Sequence, residues 1–176
     1  ASVFAAAAWA LGGSLDGATV AIESPPAKPA PEGLADGFTA AGAQVTDPDP
    51  VDLWPAPVDC LVIGSKPGLL SHESAERVTA SVIVPWGPVP LTTRALAILH
   101  RNSTTYVPDF LSAGGGLLLL AQSAGADVDP VLRLLQARDE LGPPSTDGLL
   151  FLRAAERAEA FLRTWQQDTP FGRPLV

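Results

Sequence analysis

The chain has 176 residues, of which 47% are hydrophobic, and its mean hydropathy is +0.22. This composition is typical of a globular domain with a sizeable core and excludes an intrinsically disordered chain. A net charge of −8 and a pI near 4.6 disfavour nucleic acid and anionic membrane surfaces as partners. No apolar run reaches the roughly 18 residues that a membrane span needs, and Ala1–Leu11 lacks the basic flank of a signal peptide, so we expect a cytoplasmic protein.

Sulfur-containing residues are scarce. Cys60 is the single cysteine and lies in an apolar run, so neither a disulfide nor a cysteine-based metal site is expected within the chain. No other residues have the spacing of a metal-ligand cluster, and we predict no metal site. The chain contains no methionine, not even at position 1, and we therefore expect it to be a processed or excised piece of a longer protein.

Strand-like and helical patterns alternate along the chain. Short apolar, β-prone runs predict strands near residues 18–23, 43–46, 59–64, 81–85 and 104–107. Helical spacing of apolar residues occupies Ser2–Leu11, the segment after Pro31, Arg94–Arg101, the segment after Asp129, and Leu149–Trp165. Thr92 or Thr93 can cap the third of these helices, which joins two buried strands in a βαβ unit.

This alternation predicts an α/β fold. With right-handed crossovers we expect a Rossmann-like three-layer α/β/α sandwich, whose five-stranded parallel sheet has the order 2-1-3-4-5. We assign residues 1–176 to a single domain. It consists of an entry helix at 1–12, a βα core at 18–120 and closing helices at 129–166.

Four segments carry a family resemblance. Leu15–Glu23 is similar to L-x-G-K-T-V-A-I-Q, and Asp59–Gly64 to A-D-I-L-V-P. Val84–Leu99 is similar to V-V-E-G-A-N-x-P-T-T-x-A-x-x-I-L, and Val107–Gly116 to V-x-P-D-I-L-A-N-A-G-G-V. These motifs are those of the Glu/Leu/Phe/Val dehydrogenase family, the NAD(P)-dependent amino-acid dehydrogenases, and they resemble its C-terminal nucleotide-binding domain.

The resemblance implies a function in the oxidative deamination of amino acids, with NAD or NADP as cofactor. The positions it assigns to cofactor binding are Ser24, Asp47, Gly64, Ser65, Gly87 and Ala113. The family's catalytic lysine and aspartate belong to its N-terminal domain, upstream of every matched segment. We therefore predict no catalytic residue in this chain. Its expected partner is that missing catalytic domain or another protein, and it can also form an oligomer.

The chain departs from the family where the cofactor phosphates bind. In place of the glycine fingerprint, residues 24–33 contain four prolines, which have no N–H to donate. Pro31 is expected to start the next helix, so Glu32 places a negative charge in its first turn. Pro88 and Ala113 replace two asparagines near the nicotinamide. We expect NAD or NADP to bind no tighter than about 1 mM. An alternative function is a cofactor-free interaction or regulatory module of the same descent.

Three further alternatives concern single residues. Asp47 can hold the adenosine ribose or form a rigid turn with its neighbouring prolines, and Lys28 can reach a phosphate or lie solvated. We expect Leu117–Leu120 to be a buried apolar run. Ala121–Gly125 follows it and resembles the nucleophile elbow of an α/β-hydrolase, with Ser123 as nucleophile. Both histidines precede Ser123, whereas the triad histidine of that fold follows the serine, which argues against a hydrolase.

Four aromatic residues on the first and last helices are candidates for a partner-facing surface. If a second domain once covered this chain, we expect part of their apolar area to remain exposed. They are Phe4, Trp9, Phe161 and Trp165.

Overall fold

A computed structural model describes most of the chain. The described residues are 2–46, 48, 49, 52–127, 129, 136, 138–142 and 150–164. The strands are β1 (Thr19–Ile22), β2 (Gln44–Thr46), β3 (Cys60–Ile63), β4 (Val82–Pro85) and β5 (Thr105–Tyr106). The helices are α1 (Ser2–Ala10), α2 (Leu34–Ala40), α3 (His72–Ala75), α4 (Thr93–Arg101), α5 (Asp109–Ser112), α6 (Gly115–Ser123) and α7 (Leu150–Leu162).

The five strands form one parallel sheet in the order β2-β1-β3-β4-β5. In its register, Val20 pairs with Cys60, and Val62 pairs with Val84. The predicted fold class, strand number and strand order are therefore confirmed. The central strands β3 and β4 are buried at every position, as the unbroken apolar runs predicted.

Helices cover both faces of the sheet. Successive strand residues point to opposite faces, so Val20 and Val62 join one apolar cluster while Ala21 and Leu61 join the other. The first cluster contains buried residues of α1, α2, α5 and α7, and the second contains buried residues of α3 and α4. This arrangement is the predicted three-layer sandwich.

Side-chain caps fix the starts of α3 and α4. The Ser71 hydroxyl accepts a hydrogen bond from the Ser74 N–H at 3.2 Å, and the Thr92 hydroxyl accepts one from the Ala95 N–H at 3.2 Å. Each cap satisfies a backbone donor that the helix itself leaves unpaired. Of the two predicted caps for α4, Thr92 is therefore the one used.

The four partner-surface candidates lie in different environments. The Phe4 ring packs edge-on against Phe38, with ring centroids 4.9 Å apart, and both Phe4 and Trp9 are partly buried. Phe161 on α7 is 59% exposed. Trp165 and the predicted helix start at 130–135 lie outside the described residues.

The hydrolase alternative is wrong. A nucleophile elbow places its serine on a turn between a strand and a helix. Here Ser123 is the last residue of α6, and its hydroxyl donates to the Leu119 carbonyl at 2.9 Å. Leu119 and Leu120, expected to be buried, are 57% and 67% exposed, because their segment is a surface helix and not a strand.

No helix in the described part of the chain combines the length and the apolar character needed to cross a bilayer.

A hydrogen-bonded pair joins β1 to the residue before β3, at the amino ends of these strands. Asp59 Oδ2 accepts from the Thr19 N–H at 2.8 Å and from the Thr19 hydroxyl at 2.7 Å. The backbone and side-chain hydrogen bonds of Thr19 hold the pKa of the Asp59 carboxyl below its ordinary value, although burial raises it slightly.

Asp59→Asn is expected to lower the free energy of unfolding by about 1 kcal/mol at pH 7, a value reduced for solvent screening because the carboxylate is exposed. The unfolded chain ionises Asp59 near pH 4, so the ionised carboxylate contributes fully above that pH. Its contribution is lost as the pH falls through the lower pKa of the folded state. Urea denaturation of both proteins at pH 7 and near pH 2 measures the difference. An equal difference at the two pH values would contradict this account of the pair.

Candidate ligand crevice

The strand order creates one crevice at the carboxyl ends of the strands. The chain passes from β1 to β2, which pairs with one edge of β1, and then returns to β3, which pairs with the opposite edge of β1. In open parallel sheets, ligands bind where the order reverses in this way. The loops that follow β1, β3 and β4 border this crevice.

Glu23 is the first residue after β1, and it is 7% exposed. The Glu23 N–H donates to the Val62 carbonyl at 2.8 Å and so extends the hydrogen bonding between β1 and β3 by one residue. Its carboxylate Oε2 crosses the crevice and accepts from the N–H groups of Gly64 at 3.1 Å and Ser65 at 2.9 Å. The backbone donors at the end of β3, which could hold a bound anion, are therefore occupied by a carboxylate of the chain itself.

The proline-rich loop after β1 closes on itself. The Ser24 hydroxyl accepts from the Ala30 N–H at 3.0 Å, and the Lys28 N–H donates to the Pro25 carbonyl at 3.0 Å. Two of the loop's few N–H groups are thus used internally, and none of its prolines has an N–H to offer.

The helix after this loop begins later than the sequence pattern indicates. α2 starts at Leu34, because Gly33 adopts a left-handed conformation (φ 74°) that ends the preceding turn. Glu32 was expected in the first helical turn, but it precedes the helix and is exposed. The acidic residue of the first turn is Asp36. A negative charge therefore still lies at this helix start, where it opposes anion binding.

Trp86 connects the loops around the crevice. Its indole N–H donates to the Glu23 carbonyl at 3.2 Å, and the Lys28 ammonium lies 5.8 Å from the ring centroid, within range of a cation–π interaction. The half-buried ring also lies against Gly64. Trp86 therefore fills space between the ends of β1 and β3.

Gly64 and Gly87 lie back to back at the ends of β3 and β4. A Cβ atom on Gly64 would overlap the backbone N of Gly87, and a Cβ on Gly87 would overlap the carbonyl O of Gly64. Neither backbone can move away without breaking the β3–β4 ladder. This contact is a packing reason for glycine at both positions, and it needs no ligand.

The loops after β3 and β4 are joined to each other and to α5. Gly68 N–H donates to the Val89 carbonyl at 2.9 Å, and Asp109 Oδ2 accepts from the Val89 N–H at 2.9 Å. Val89 has φ 46°, a strained conformation for a β-branched residue, and is 60% exposed. These contacts hold the strained loop in place beside the crevice.

A cavity of about 630 Å³ opens between the loops after β1 and β3. Glu23, Ser24 and Ser65 contribute polar groups to its lining, while Leu53 and Trp54 contribute apolar surface. A smaller cavity, of about 220 Å³, lies between the start of α2 and the end of β2. No group of three or more metal-ligating side chains occurs among the residues that the structure describes.

The structure separates the residues that were predicted to bind a cofactor. Ser24 and Ser65 line the larger cavity. Gly64 and Gly87 form the back-to-back contact at the ends of β3 and β4, whereas Ala113 follows α5 and donates its N–H to the Asp109 carbonyl at 2.7 Å. Asp47 lies outside the described residues.

Two crevice residues, Glu23 and Trp86, were not predicted. A signal existed, because each polar or aromatic side chain follows directly on a buried apolar run, at the edge of the sheet where ligands bind. The buried Cys60 on β3 is not a further candidate. Burial and the nearby Asp59 raise the pKa of its thiol, so Cys60 stays protonated and packs as an apolar residue.

Comparison with known proteins shows the fold. No protein-family model and no curated protein sequence matches the chain. Among solved structures, the hetero-hexameric glutamate dehydrogenase from Thermus thermophilus, in its Leu-bound form, is similar with a TM-score of 0.63 and 21% identity, over 96% of this chain and 52% of that one. L-tryptophan dehydrogenase from Nostoc punctiforme has a TM-score of 0.58 and 20% identity, over 92% of this chain and 60% of that one.

A third similar structure is the glutamate dehydrogenase from Peptoniphilus asaccharolyticus, with a TM-score of 0.59 and 12% identity over 96% of this chain and 53% of that one. The chain thus spans between about half and three fifths of the length of these structures. At such identities the likeness demonstrates a shared Rossmann-like fold.

Proposed function

We propose that this chain is a Rossmann domain of the amino-acid dehydrogenase type, whose crevice no longer takes NAD or NADP tightly and which acts with a partner domain or chain. Two likenesses support the relationship. One is the structural similarity to glutamate and tryptophan dehydrogenases over 92% or more of the chain. The other is the resemblance of four sequence segments to family motifs. Two of these segments contain β1 and β3, and the other two begin at or directly after the carboxyl ends of β4 and β5.

The observation that carries the loss of tight cofactor binding is the carboxylate of Glu23. Its Oε2 is hydrogen-bonded to the Gly64 and Ser65 N–H groups across the switch point, and the residue is buried. A dinucleotide pyrophosphate at this edge would meet a fixed negative charge in a partly desolvated crevice, where Coulomb repulsion is stronger than in water. The resembling family motif has glutamine at this position, which is uncharged.

The proline loop supports the same conclusion. A dinucleotide loop binds pyrophosphate through glycine-rich backbone N–H groups at a helix start. In this chain the loop N–H groups of Lys28 and Ala30 are bonded within the loop, and α2 begins with an acidic first turn. Each missing charge-assisted hydrogen bond costs about 1.5–3 kcal/mol of binding free energy. The crevice residues therefore do not fit the pyrophosphate of NAD or NADP.

Catalysis is assigned to a partner. In the resembling family the carbonyl-polarising lysine and the proton-transferring aspartate lie in the N-terminal domain. Lys28 and Lys66 are the lysines of this chain. The first lies over the Trp86 ring and the second is exposed in the loop after β3. We propose that this chain does not turn over an amino acid alone and that turnover requires the domain or protein that docks with it.

Isothermal titration calorimetry with NAD and NADP tests the proposal. We expect dissociation constants no tighter than about 1 mM, equivalent to about −4 kcal/mol, for both cofactors. A variant in which residues 24–33 carry a glycine fingerprint, combined with Glu23→Gln, is expected to bind more tightly, because both obstacles are removed. The loop graft with Glu23 retained is the matched control and should gain less. A micromolar constant for the natural chain would overturn the proposal.

The size of the larger cavity favours a second candidate, a retained cofactor-binding domain. A volume of about 630 Å³ is within the range of natural small-molecule sites. In this alternative the dinucleotide binds without the usual phosphate contacts. The same titration separates the two candidates.

A further inference from the structure

We propose that the larger crevice cavity is a binding site for a small organic cation, a primary amine on an apolar body, with Glu23 as the residue that selects its charge. This inference rests on one part of the proposed function, namely that no dinucleotide fills the cavity.

The first support is a buried carboxylate in the cavity wall. Glu23 is 7% exposed and lines the cavity, and its Oε2 accepts two backbone hydrogen bonds. No ion pair within 4.0 Å joins Glu23 to a basic side chain in the described part of the chain. Two amides lower the cost of burying this charge, but they do not neutralise it. An ammonium group from a ligand would supply the missing opposite charge.

The second support is the balance of charges around the cavity. Asp49 lines it as well, and so do Lys28 and Lys66. Both lysines are exposed, and the Lys28 ammonium lies over the Trp86 ring. The charge of a buried group interacts more strongly than that of a solvated group, because the effective dielectric constant around it is lower, so Glu23 dominates over the two solvated lysines. The net charge of −8 adds a long-range attraction for cations.

The third support is the apolar part of the lining, to which Leu53, Trp54 and Leu69 contribute together with loop prolines. Trp54 is 8% exposed, so its position is held by packing. Such a wall favours the apolar body of a ligand, while Glu23 orients its polar end. A cavity of about 630 Å³ has room for a ligand of this kind.

Two ligands of matched shape and opposite charge test the inference on the natural chain. Titration calorimetry at pH 7 and low salt compares 2-phenylethylamine with 3-phenylpropionate. We expect the amine to bind with a dissociation constant on the order of 1 mM and at least tenfold more tightly than the carboxylate. Shifts of the Gly64 and Ser65 amide signals in NMR spectra locate the site. No saturable amine binding up to about 10 mM, or equal binding of the two ligands, would overturn the inference.

Glu23→Gln isolates the charge, since the side-chain amide oxygen can accept the same two N–H bonds. This variant should lose at least tenfold in amine affinity and bind 3-phenylpropionate more tightly. Glu76→Gln removes an equal charge from an exposed residue that does not line the cavity, and it should change neither affinity by more than about twofold. An unchanged amine affinity in Glu23→Gln would refute the role of Glu23. If the amine does not bind, this inference fails but the proposed weak binding of dinucleotides is unaffected. If NAD binds with a micromolar dissociation constant, the proposed function fails regardless of the amine result.

Discussion

Gly87→Ala is expected to lower the free energy of unfolding by about 3 kcal/mol. The added Cβ would overlap the carbonyl oxygen of Gly64, and both residues are buried. Overpacking of a well-packed core costs about 1–3 kcal/mol, and here no side-chain rotation can relieve the overlap, because the obstacle is backbone. The β3–β4 ladder holds that backbone through the pairing of Ile63 with Pro85. The cost therefore lies at the upper end of this range.

Urea denaturation of Gly87→Ala and of Gly116→Ala measures this effect against a control. Gly116 lies within α6, has no positive φ, and an added Cβ would meet no atom within 4 Å. Its replacement should stabilise the protein by about 0.5–1 kcal/mol, because alanine favours a helix more than glycine does. A Gly87→Ala variant as stable as the natural protein would show that the two loops are not in contact.

Glu23→Ala is expected to lower the free energy of unfolding by about 3 kcal/mol, whereas Glu23→Gln should change it by less than about 1 kcal/mol. Alanine leaves the N–H groups of Gly64 and Ser65 without their acceptor in a buried place, and each unsatisfied donor costs about 1–3 kcal/mol. Glutamine keeps an oxygen acceptor of the same shape and removes the cost of burying a charge.

The two Glu23 variants are compared by thermal and urea denaturation, with circular dichroism to verify that each is folded. The difference between them is the quantity of interest, since both lose the same negative charge. Equal stabilities of Glu23→Ala and Glu23→Gln would mean that the two hydrogen bonds contribute nothing to the fold. A strongly destabilised Glu23→Gln would mean that the charge itself stabilises the crevice.

Much of the fold was predictable because its determinants are local. A strand that is buried on both faces must be apolar at every position, and β3 and β4 therefore appear as continuous runs in the sequence. Caps such as Thr92 act within a few residues of the chain. The right-handed crossover rule then leaves few strand orders for such a pattern.

The apolar segment before Ser123 illustrates the limit of such patterns. A short run of leucines fits a buried strand and a helix equally well, and periodicity alone does not separate them. In the fold this segment comes after β5, the last described strand, and after the short helix α5. It forms the helix α6, whose Leu119 and Leu120 are exposed. The histidine order in the sequence argues against a hydrolase, and the helical conformation around Ser123 excludes the nucleophile elbow.

The sequence by itself determined the parallel α/β architecture and the shortage of N–H donors after β1, because both depend on residue type and on neighbours along the chain. The tertiary structure decided what occupies the crevice. Glu23 meets the Gly64 and Ser65 amides 41 and 42 positions away, and Gly64 meets Gly87 across adjacent loops. Such contacts arise when the sheet brings distant strand ends together at one edge, and no local pattern encodes which side chain crosses to which backbone.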